Sequence, residues 1–307
     1  MRWLPVALLG LSALTAAGQI ISDVREAIDG KNFTRAERLI QAYRAKTGID
    51  SQMIEALSWL ARAELDVKQY DAADRDASST RKLAVAELAK RKLDDDRYLP
   101  IALGASIEVH AQVLAARGER AEALAFLRRE LAAYRSTSMA SRIQKNINLL
   151  TLEGKPAPPL EMTEWLGARP VPLAQLKGHP VLLFFWAHWC GDCKADVPEL
   201  ARLLAQYRSR GLILIGPTQH YGYAAGGEEA TRQQESRYID EVRRQYYSPL
   251  GDMSVPVSEA NFKNYGASTT PTLVLIDRSG IVRLYHPGAM SYLQLANKLA
   301  ETDASRN

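Results

Sequence analysis

The sequence predicts two domains of different class, an all-helical half followed by an α/β half with a mixed sheet. Between residues 20 and 150, apolar side chains recur at helical spacing and Pro100 is the only proline. A Pro-rich stretch at 151–159 then interrupts any helix. From residue 160 onward, short apolar runs typical of buried strands alternate with helical patterns. We therefore place a helical domain at 19–150, a linker at 151–159 and the α/β domain at 160–307.

Residues 1–18 have the pattern of an export signal peptide. Arg2 is followed by an apolar run from Trp3 to Ala17, and small residues stand at 16–18, before Gln19. The run is short for a bilayer span, which needs about 20 residues. We therefore expect cleavage and an extracytoplasmic protein, in the bacterial periplasm or secreted. If the signal is not cleaved, the same run would tether the protein to the membrane.

The helical domain contains a short element that recurs at 31–36, 68–73 and 118–123. Each copy is a polar turn that opens an amphipathic helix with an early alanine, and it resembles the tetratricopeptide repeat (TPR). The spacings of 37 and 50 residues are irregular, and the tryptophan and proline markers of that family are absent. The prediction is a TPR-like array that binds a protein partner. The alternative is a plain helical bundle without a binding groove.

The α/β half has the element order β-α-β followed by β-β-α, which implies a mixed sheet covered by helices. Strands are predicted at 180–186, 211–216, 272–277 and 281–285. Helices are predicted at 193–208, with an interruption at Pro198, and at 235–247 and 292–302. A short edge or connecting segment is expected at 171–176, and a polar, Gly-rich insertion at 218–236.

The only two cysteines of the 307 residues, Cys190 and Cys193, lie between a predicted strand and the next helix. With no third cysteine, they cannot join a larger disulfide framework or a four-cysteine zinc site. Their spacing closes too small a loop to stabilise the fold much. A lone C-x-x-C at a helix start is instead the arrangement that makes a thiol reactive. The prediction is a redox-active pair that needs no metal or other cofactor.

The helix start suggests a division of labour between the two sulfurs. Backbone N–H groups and the helix dipole should lower the pKa of Cys190 and make it the exposed nucleophile. Cys193, one turn along and more buried, would resolve the mixed disulfide. Trp189 is expected to shield the sulfurs and to offer an apolar docking surface. Asp192, between the cysteines, should oppose thiolate formation somewhat.

The stretch 185–194 (Phe-Trp-Ala-His-Trp-Cys-Gly-Asp-Cys-Lys), continued by Asp196 and Pro198, resembles the thioredoxin superfamily, in particular its TlpA/ResA-like extracytoplasmic branch. Thr270-Pro271-Thr272 is a second match. The resemblance implies a thioredoxin fold over about 155–305 and a cis Pro271 facing the cysteines. It also implies client pairing at Thr270 and Pro271. Asp196 would accept the proton of Cys193, although a solvated helix residue is the alternative. Phe184 departs from the buried aspartate of thioredoxins.

The resemblance implies an extracytoplasmic thiol–disulfide oxidoreductase, most simply a protein disulfide reductase whose clients carry disulfides or thiols. A membrane thiol carrier would supply the electrons. The alternative is a scaffold in which the thioredoxin-like domain is a docking module. A peroxidase is disfavoured because Ala187 stands where that chemistry needs Thr or Ser.

The net charge of +4, without a basic run interleaved with aromatic residues, disfavours nucleic-acid binding. His188 is expected to be a surface residue, the alternative being that its protonated form favours the thiolate. His220, Tyr221 and Tyr223 are expected in a plain loop, the alternative being that they line a client or ligand surface.

Overall fold

A computed structural model describes residues 19–304 of the chain. The predicted signal peptide at 1–18 lies outside the described residues. The chain forms two compact units that divide between Met139 and Ala140. This division precedes the linker predicted at 151–159, and the last helix before that linker belongs to the second unit.

The first unit is all helical, as predicted. Its helices are α1 (Gln19–Asp29), α2 (Phe33–Thr47), α3 (Ser51–Asp66), α4 (Tyr70–Glu87), α5 (Leu99–Ala116) and α6 (Arg120–Tyr134). Helix α3 packs against both α4 and α5, and α6 packs against α5. α5 is long and apolar enough to cross a membrane. Its buried residues run from Leu99 to Leu114, so its apolar composition is that of a core helix.

The recurring sequence element forms the same turn in three helical hairpins, α1–α2, α3–α4 and α5–α6. In each turn one residue has a left-handed backbone: Lys31, Lys68 and Gly118. The next residue donates its N–H to the carbonyl five positions earlier: Asn32 to Ala27, Gln69 to Glu64 and Glu119 to Leu114. The early alanines are fully buried: Ala36, Ala73 and Ala123. The repeated hairpin is therefore real, whereas its assignment to the TPR family stays a prediction.

The second unit contains the predicted mixed sheet, with strand order β3-β2-β5-β6. The strands are β2 (Val181–Phe185), β3 (Ile213–Ile215), β5 (Thr272–Ile276) and β6 (Val282–Pro287). β2 runs parallel to β3 and antiparallel to β5. All five residues of β2 are buried, because the strand is central and both of its faces are covered. This is the fold class that the sequence predicted.

Helices cover both faces of this sheet. They are α7 (Ala140–Thr151), α8 (Gly191–Ala195), α9 (Val197–Tyr207), α10 (Arg232–Tyr246), α11 (Glu259–Tyr265) and α12 (Tyr292–Ala304). The short helix α11 and a two-stranded sheet, β1 (Trp165–Leu166) with β4 (Val255–Pro256), were not predicted. Two residues are too few for an alternating pattern to show in the sequence. The segment predicted at 171–176 forms a single 3-10 turn, Leu173–Leu176.

Helix α7 joins the second unit because it packs there against α11 and β6. The side-chain amide of Asn148 donates to the carbonyl of Asn264. Gly266, which ends α11 with φ +59°, lies so close to α7 that a Cβ there would be 2.6 Å from Cα of Lys145. The Pro-rich stretch marks where helical spacing ends. Packing decides which unit the preceding helix belongs to.

We predict that Gly266→Ala destabilises the second unit by about 3 kcal/mol. About 1 kcal/mol comes from the left-handed backbone and the rest from displacing the backbone of α7. Gly178→Ala is the matched control, since Gly178 has φ +94° but open space around its Cβ position. Urea denaturation of both variants measures the difference. Equal losses of stability in the two variants would show that α7 does not lie in close contact with Gly266.

Candidate active site

The two cysteines form a disulfide at the junction of β2 and α8. Cys190 is the N-terminal cap of α8, and the backbone N–H of Cys193 donates to its Sγ at 3.0 Å. Cys190 is 3% exposed and Cys193 is fully buried. The order of exposure is the one that the predicted roles require. The accessible area of Cys190 is nevertheless small, so a client sulfur must approach from one direction.

The N–H of Cys193 provides a direct electrostatic reason for reactivity. After reduction the same donor would face a thiolate on Cys190, and hydrogen bonds to the charged form of a thiol lower its pKa. The turn is held by a second hydrogen bond, from the N–H of Cys190 to the carbonyl of Ala187. Asp192 is exposed in the first turn of α8, where water screens its charge.

The sheet register brings Pro271 to the same end of the sheet as the cysteines. Phe185, the last residue of β2, pairs with Thr272, the first residue of β5. Thr270 and Pro271 therefore lie beside the segment that leads to Cys190. Their peptide bond is cis, as the resemblance implies. The hydroxyl of Thr270 is buried and has no hydrogen-bond partner.

Asp196 is a buried residue, 4% exposed, at the junction of α8 and α9. The solvated alternative is therefore wrong. Burial, and then the negative charge of Glu199, raises the pKa of Asp196 to about 6, against its ordinary value of 3.8, although the backbone N–H of Met290 opposes the shift. One of its carboxyl oxygens, Oδ2, is buried without a partner. A carboxyl with this pKa can take up and release a proton near neutral pH.

Trp189 presents the largest apolar surface next to the disulfide. Its side chain is 50% exposed, and its ring packs edge-to-face against Tyr221 at 5.5 Å between centroids. The expectation of an apolar surface beside the sulfurs therefore has a structural counterpart. The contact with the insertion was not foreseen.

His188 is fully buried, so the expectation that it is a surface residue is wrong. Its Nε2 lies 3.2 Å from Oε1 of Glu235, a residue of α10 that is itself 1% exposed. The sequence did contain a signal for the start of α10, although not for its contact with His188. Thr231 and Gln234 form a capping box, a pattern that marks a helix start. This pattern predicts a helix that begins at Arg232 and has Glu235 in its first turn.

The position of the thioredoxin aspartate is filled here by an aromatic cluster. Tyr247 packs against Phe184 at 5.9 Å and against Trp186 at 4.5 Å between ring centroids. All three side chains are buried. Position 184 therefore carries no ionisable group in this protein.

The slightly exposed Cys190 lies next to the half-exposed Trp189. A cavity of about 400 Å³ does exist in this unit, but it is lined by Val181 and Ile276, at the opposite end of β2 from Cys190. Within residues 19–304, no three His, Cys, Asp or Glu side chains converge in a way that could hold a metal ion.

Comparison with known proteins finds similarity in the second unit. Residues 154–285 match the model of the AhpC/TSA family. The thiol-disulfide oxidoreductase ResA of Oceanobacillus iheyensis is 26% identical over 170 residues, which are 53% of this chain and 79% of that protein. The thiol:disulfide interchange protein DsbE of Xylella fastidiosa (strain Temecula1) is 29% identical over 124 residues, 40% of this chain and 55% of that protein. The chain thus spans little more than half the length of this DsbE.

A solved structure, that of a thiol-disulfide isomerase from Corynebacterium glutamicum, superposes with a TM-score of 0.39 and 20% identity. The superposition covers 48% of this chain and 96% of that one. The matched family, the sequence relatives and the Cys190–Cys193 pair agree with each other. Through residues 154–285 the chain is therefore similar to the AhpC/TSA family, and its sequence relatives include the thiol-disulfide oxidoreductase ResA and the thiol:disulfide interchange protein DsbE.

Proposed function

We propose that the protein is an extracytoplasmic protein disulfide reductase that uses Cys190 and Cys193. The observation that carries the exchange chemistry is the N–H of Cys193 donated to Sγ of the slightly exposed Cys190, whereas the reducing direction follows from the resemblance to the TlpA/ResA-like branch. This hydrogen bond favours the thiolate that exchange requires. An open, partly apolar surface at Trp189 suits a polypeptide better than a small molecule, which usually binds in a concave pocket.

The reaction proceeds in two exchange steps. The Cys190 thiolate attacks one sulfur of a client disulfide, forming a mixed disulfide and releasing the other client sulfur as a thiolate. Cys193 then loses its proton to Asp196 and attacks Sγ of Cys190. The second client sulfur leaves and is protonated. The client gains two electrons and two protons, and the protein is left with the Cys190–Cys193 disulfide. Thr270 and Pro271 would pair with the client backbone during this exchange.

The electron donor and the location are further parts of the proposal. An oxidised protein must be reduced again, and we propose a membrane thiol carrier as the source of electrons. The signal-like pattern at residues 1–18 supports a position outside the cytoplasm. A reductase in that compartment would need such a carrier, because its surroundings are oxidising.

The helical unit is proposed to recruit a protein partner. Its three stacked hairpins with a shared turn are typical of repeat arrays that expose an extended binding surface. Holding a client or a donor there would raise its effective concentration at the disulfide.

The decisive measurement is the reduction potential of the Cys190–Cys193 pair in a series of thiol/disulfide buffers. We expect a value near or below about −220 mV, in the reducing half of the range from thioredoxin to DsbA. The reduced protein should also reduce insulin. A potential far above that value would make the protein an oxidase or isomerase. If no redox transition were observed, only the interpretation as a docking scaffold would remain. Rapid turnover of peroxide would instead indicate a peroxidase, which the buried Ala187 disfavours.

A further inference from the structure

The carboxylate of Glu235 connects two segments that are far apart in the sequence. Its Oε1 accepts the backbone N–H of Tyr221 at 2.5 Å, and its Oε2 accepts that of Gly222 at 2.9 Å. Nε2 of His188 lies 3.2 Å from the same Oε1. Burial lowers the pKa of His188, although Glu235 itself acts against this shift. The lowered pKa favours the neutral imidazole, and a hydrogen on Nε2 is then the one that the carboxylate can accept. All three contacts thus supply N–H groups to one buried acceptor.

A buried carboxylate costs free energy unless it is fully hydrogen-bonded, so this arrangement needs both segments in place. His188 lies two residues before Cys190, in the turn that carries the disulfide. Tyr221 and Gly222 begin the Gly-rich insertion. The side chain of Glu235 therefore links the insertion to the active-site turn.

Aromatic contacts continue this connection to the surface. His188 is surrounded edge-to-face by three tyrosine rings at 5.2 to 5.5 Å between centroids: Tyr221, Tyr223 and Tyr238. Tyr221 is the residue that also packs against the exposed ring of Trp189. The exchange chemistry needs only sulfurs and a proton acceptor. It does not explain why Tyr221 is held beside the disulfide.

We propose that Glu235 and His188 are positioning residues that hold Tyr221 against Trp189, and that this aromatic pair contacts the polypeptide client next to Cys190. The inference rests on the proposed reductase function and adds a determinant of client preference to it. The client chemistry that fits is a disulfide flanked by apolar or aromatic side chains, since a flat aromatic pair recognises such groups with little loss of conformational entropy. A small, polar disulfide would gain nothing from it.

The test compares a protein disulfide with a small one in single-turnover oxidation of the reduced, full-length protein. Insulin and glutathione disulfide are the two probes. Glu235→Gln should lower the rate constant with insulin about tenfold, which corresponds to a modest loss of binding free energy. The rate constant with glutathione disulfide should change less than twofold. An amide cannot accept all three N–H groups, because its nitrogen is a donor. Glu228→Gln is the matched control, because Glu228 is an exposed acid in the same insertion. It should leave both rates unchanged.

A second pair of variants tests the contact without touching the buried carboxylate. Tyr221→Leu should reproduce the loss with insulin, whereas Tyr221→Phe keeps the ring and should retain the rate. Equal losses on both probes in Glu235→Gln would show that it affects the sulfurs or the fold, which overturns the inference. An unchanged insulin rate in Tyr221→Leu would overturn it as well, even if Glu235→Gln did not fold. If the proposed function itself were wrong, the result would be different: the wild-type protein would react with neither insulin nor glutathione disulfide.

Discussion

Cys193→Ser is expected to turn the protein into a trap for its clients. Cys190 can still form the mixed disulfide, but no second sulfur is present to resolve it. Incubation of the reduced variant with insulin should yield a covalent adduct that persists on a non-reducing gel and disappears with excess dithiothreitol. Mass spectrometry of the adduct should place the bond at Cys190.

Cys190→Ser is the matched variant and should lose at least about a thousandfold in insulin reduction, as expected for removal of a nucleophile. It should form no adduct under the same conditions, because Cys193 is fully buried. If Cys190→Ser accumulated the adduct and Cys193→Ser did not, the two roles would be reversed. If neither variant formed one, exchange would not pass through a mixed disulfide at this pair.

Asp196→Asn is expected to stabilise the oxidised protein at pH 8 while it slows the reaction. The folded-state pKa of Asp196 is about 6 and the ordinary value is 3.8. Between these values the folded state binds more protons than the unfolded state. The stability that neutral Asp196 contributes is therefore complete below 3.8 and is lost as the pH rises through about 6. The cost of ionisation reaches up to about 3 kcal/mol, at 1.36 kcal/mol for each pKa unit.

The asparagine variant avoids this cost because it cannot ionise. Its free energy of unfolding should equal that of the wild type near pH 4 and exceed it at pH 8, measured by urea denaturation. Asp192→Asn, a change to an exposed acid in the same helix, should show no such pH-dependent difference. Equal stability of Asp196→Asn and wild type at pH 8 would mean that the carboxyl is not held in a raised-pKa environment.

The same variant should prolong the mixed disulfide, because Cys193 would lose its proton acceptor. A general base contributes about a hundredfold or more to such a step. We expect the adduct with insulin to decay at least tenfold more slowly at pH 7 than in the wild type. A gain in stability coupled to a loss of resolution is typical of a residue kept for function rather than for folding. An unchanged adduct lifetime would show that Asp196 takes no part in the reaction.

The parts of the fold that were predictable are those encoded by local patterns. The run 180–186 is apolar at every position because β2 is covered on both faces. The helical pattern is interrupted near Pro198, as predicted, because α8 ends at Ala195 and Pro198 lies in the first turn of α9. The early alanines at 36, 73 and 123 identified the hairpins, since only a small side chain fits where the two helices of each hairpin meet. The chemistry of the site was equally local, because it depends on the spacing of two cysteines.

The sequence did not predict the placements that depend on distant residues. Helix α7 has the pattern of the helical half, yet it packs on α11, more than a hundred residues later. His188 lies in a stretch that also fits a surface turn. It is buried because Glu235 and three tyrosines from later segments enclose it. A single sequence carries no signal for such a pairing, since each partner alone fits a solvated position.

The sequence by itself therefore determined the class of each half, the identity of the reactive pair and the strand–helix junction that activates it. These follow from short-range geometry, in which neighbouring residues impose the helix, the strand and the cap on each other. Only the tertiary structure decided that Asp196 is buried with a raised pKa and that Glu235 attaches the insertion to the active-site turn. The physical reason is that burial, pKa and long-range hydrogen bonds are properties of the packed chain.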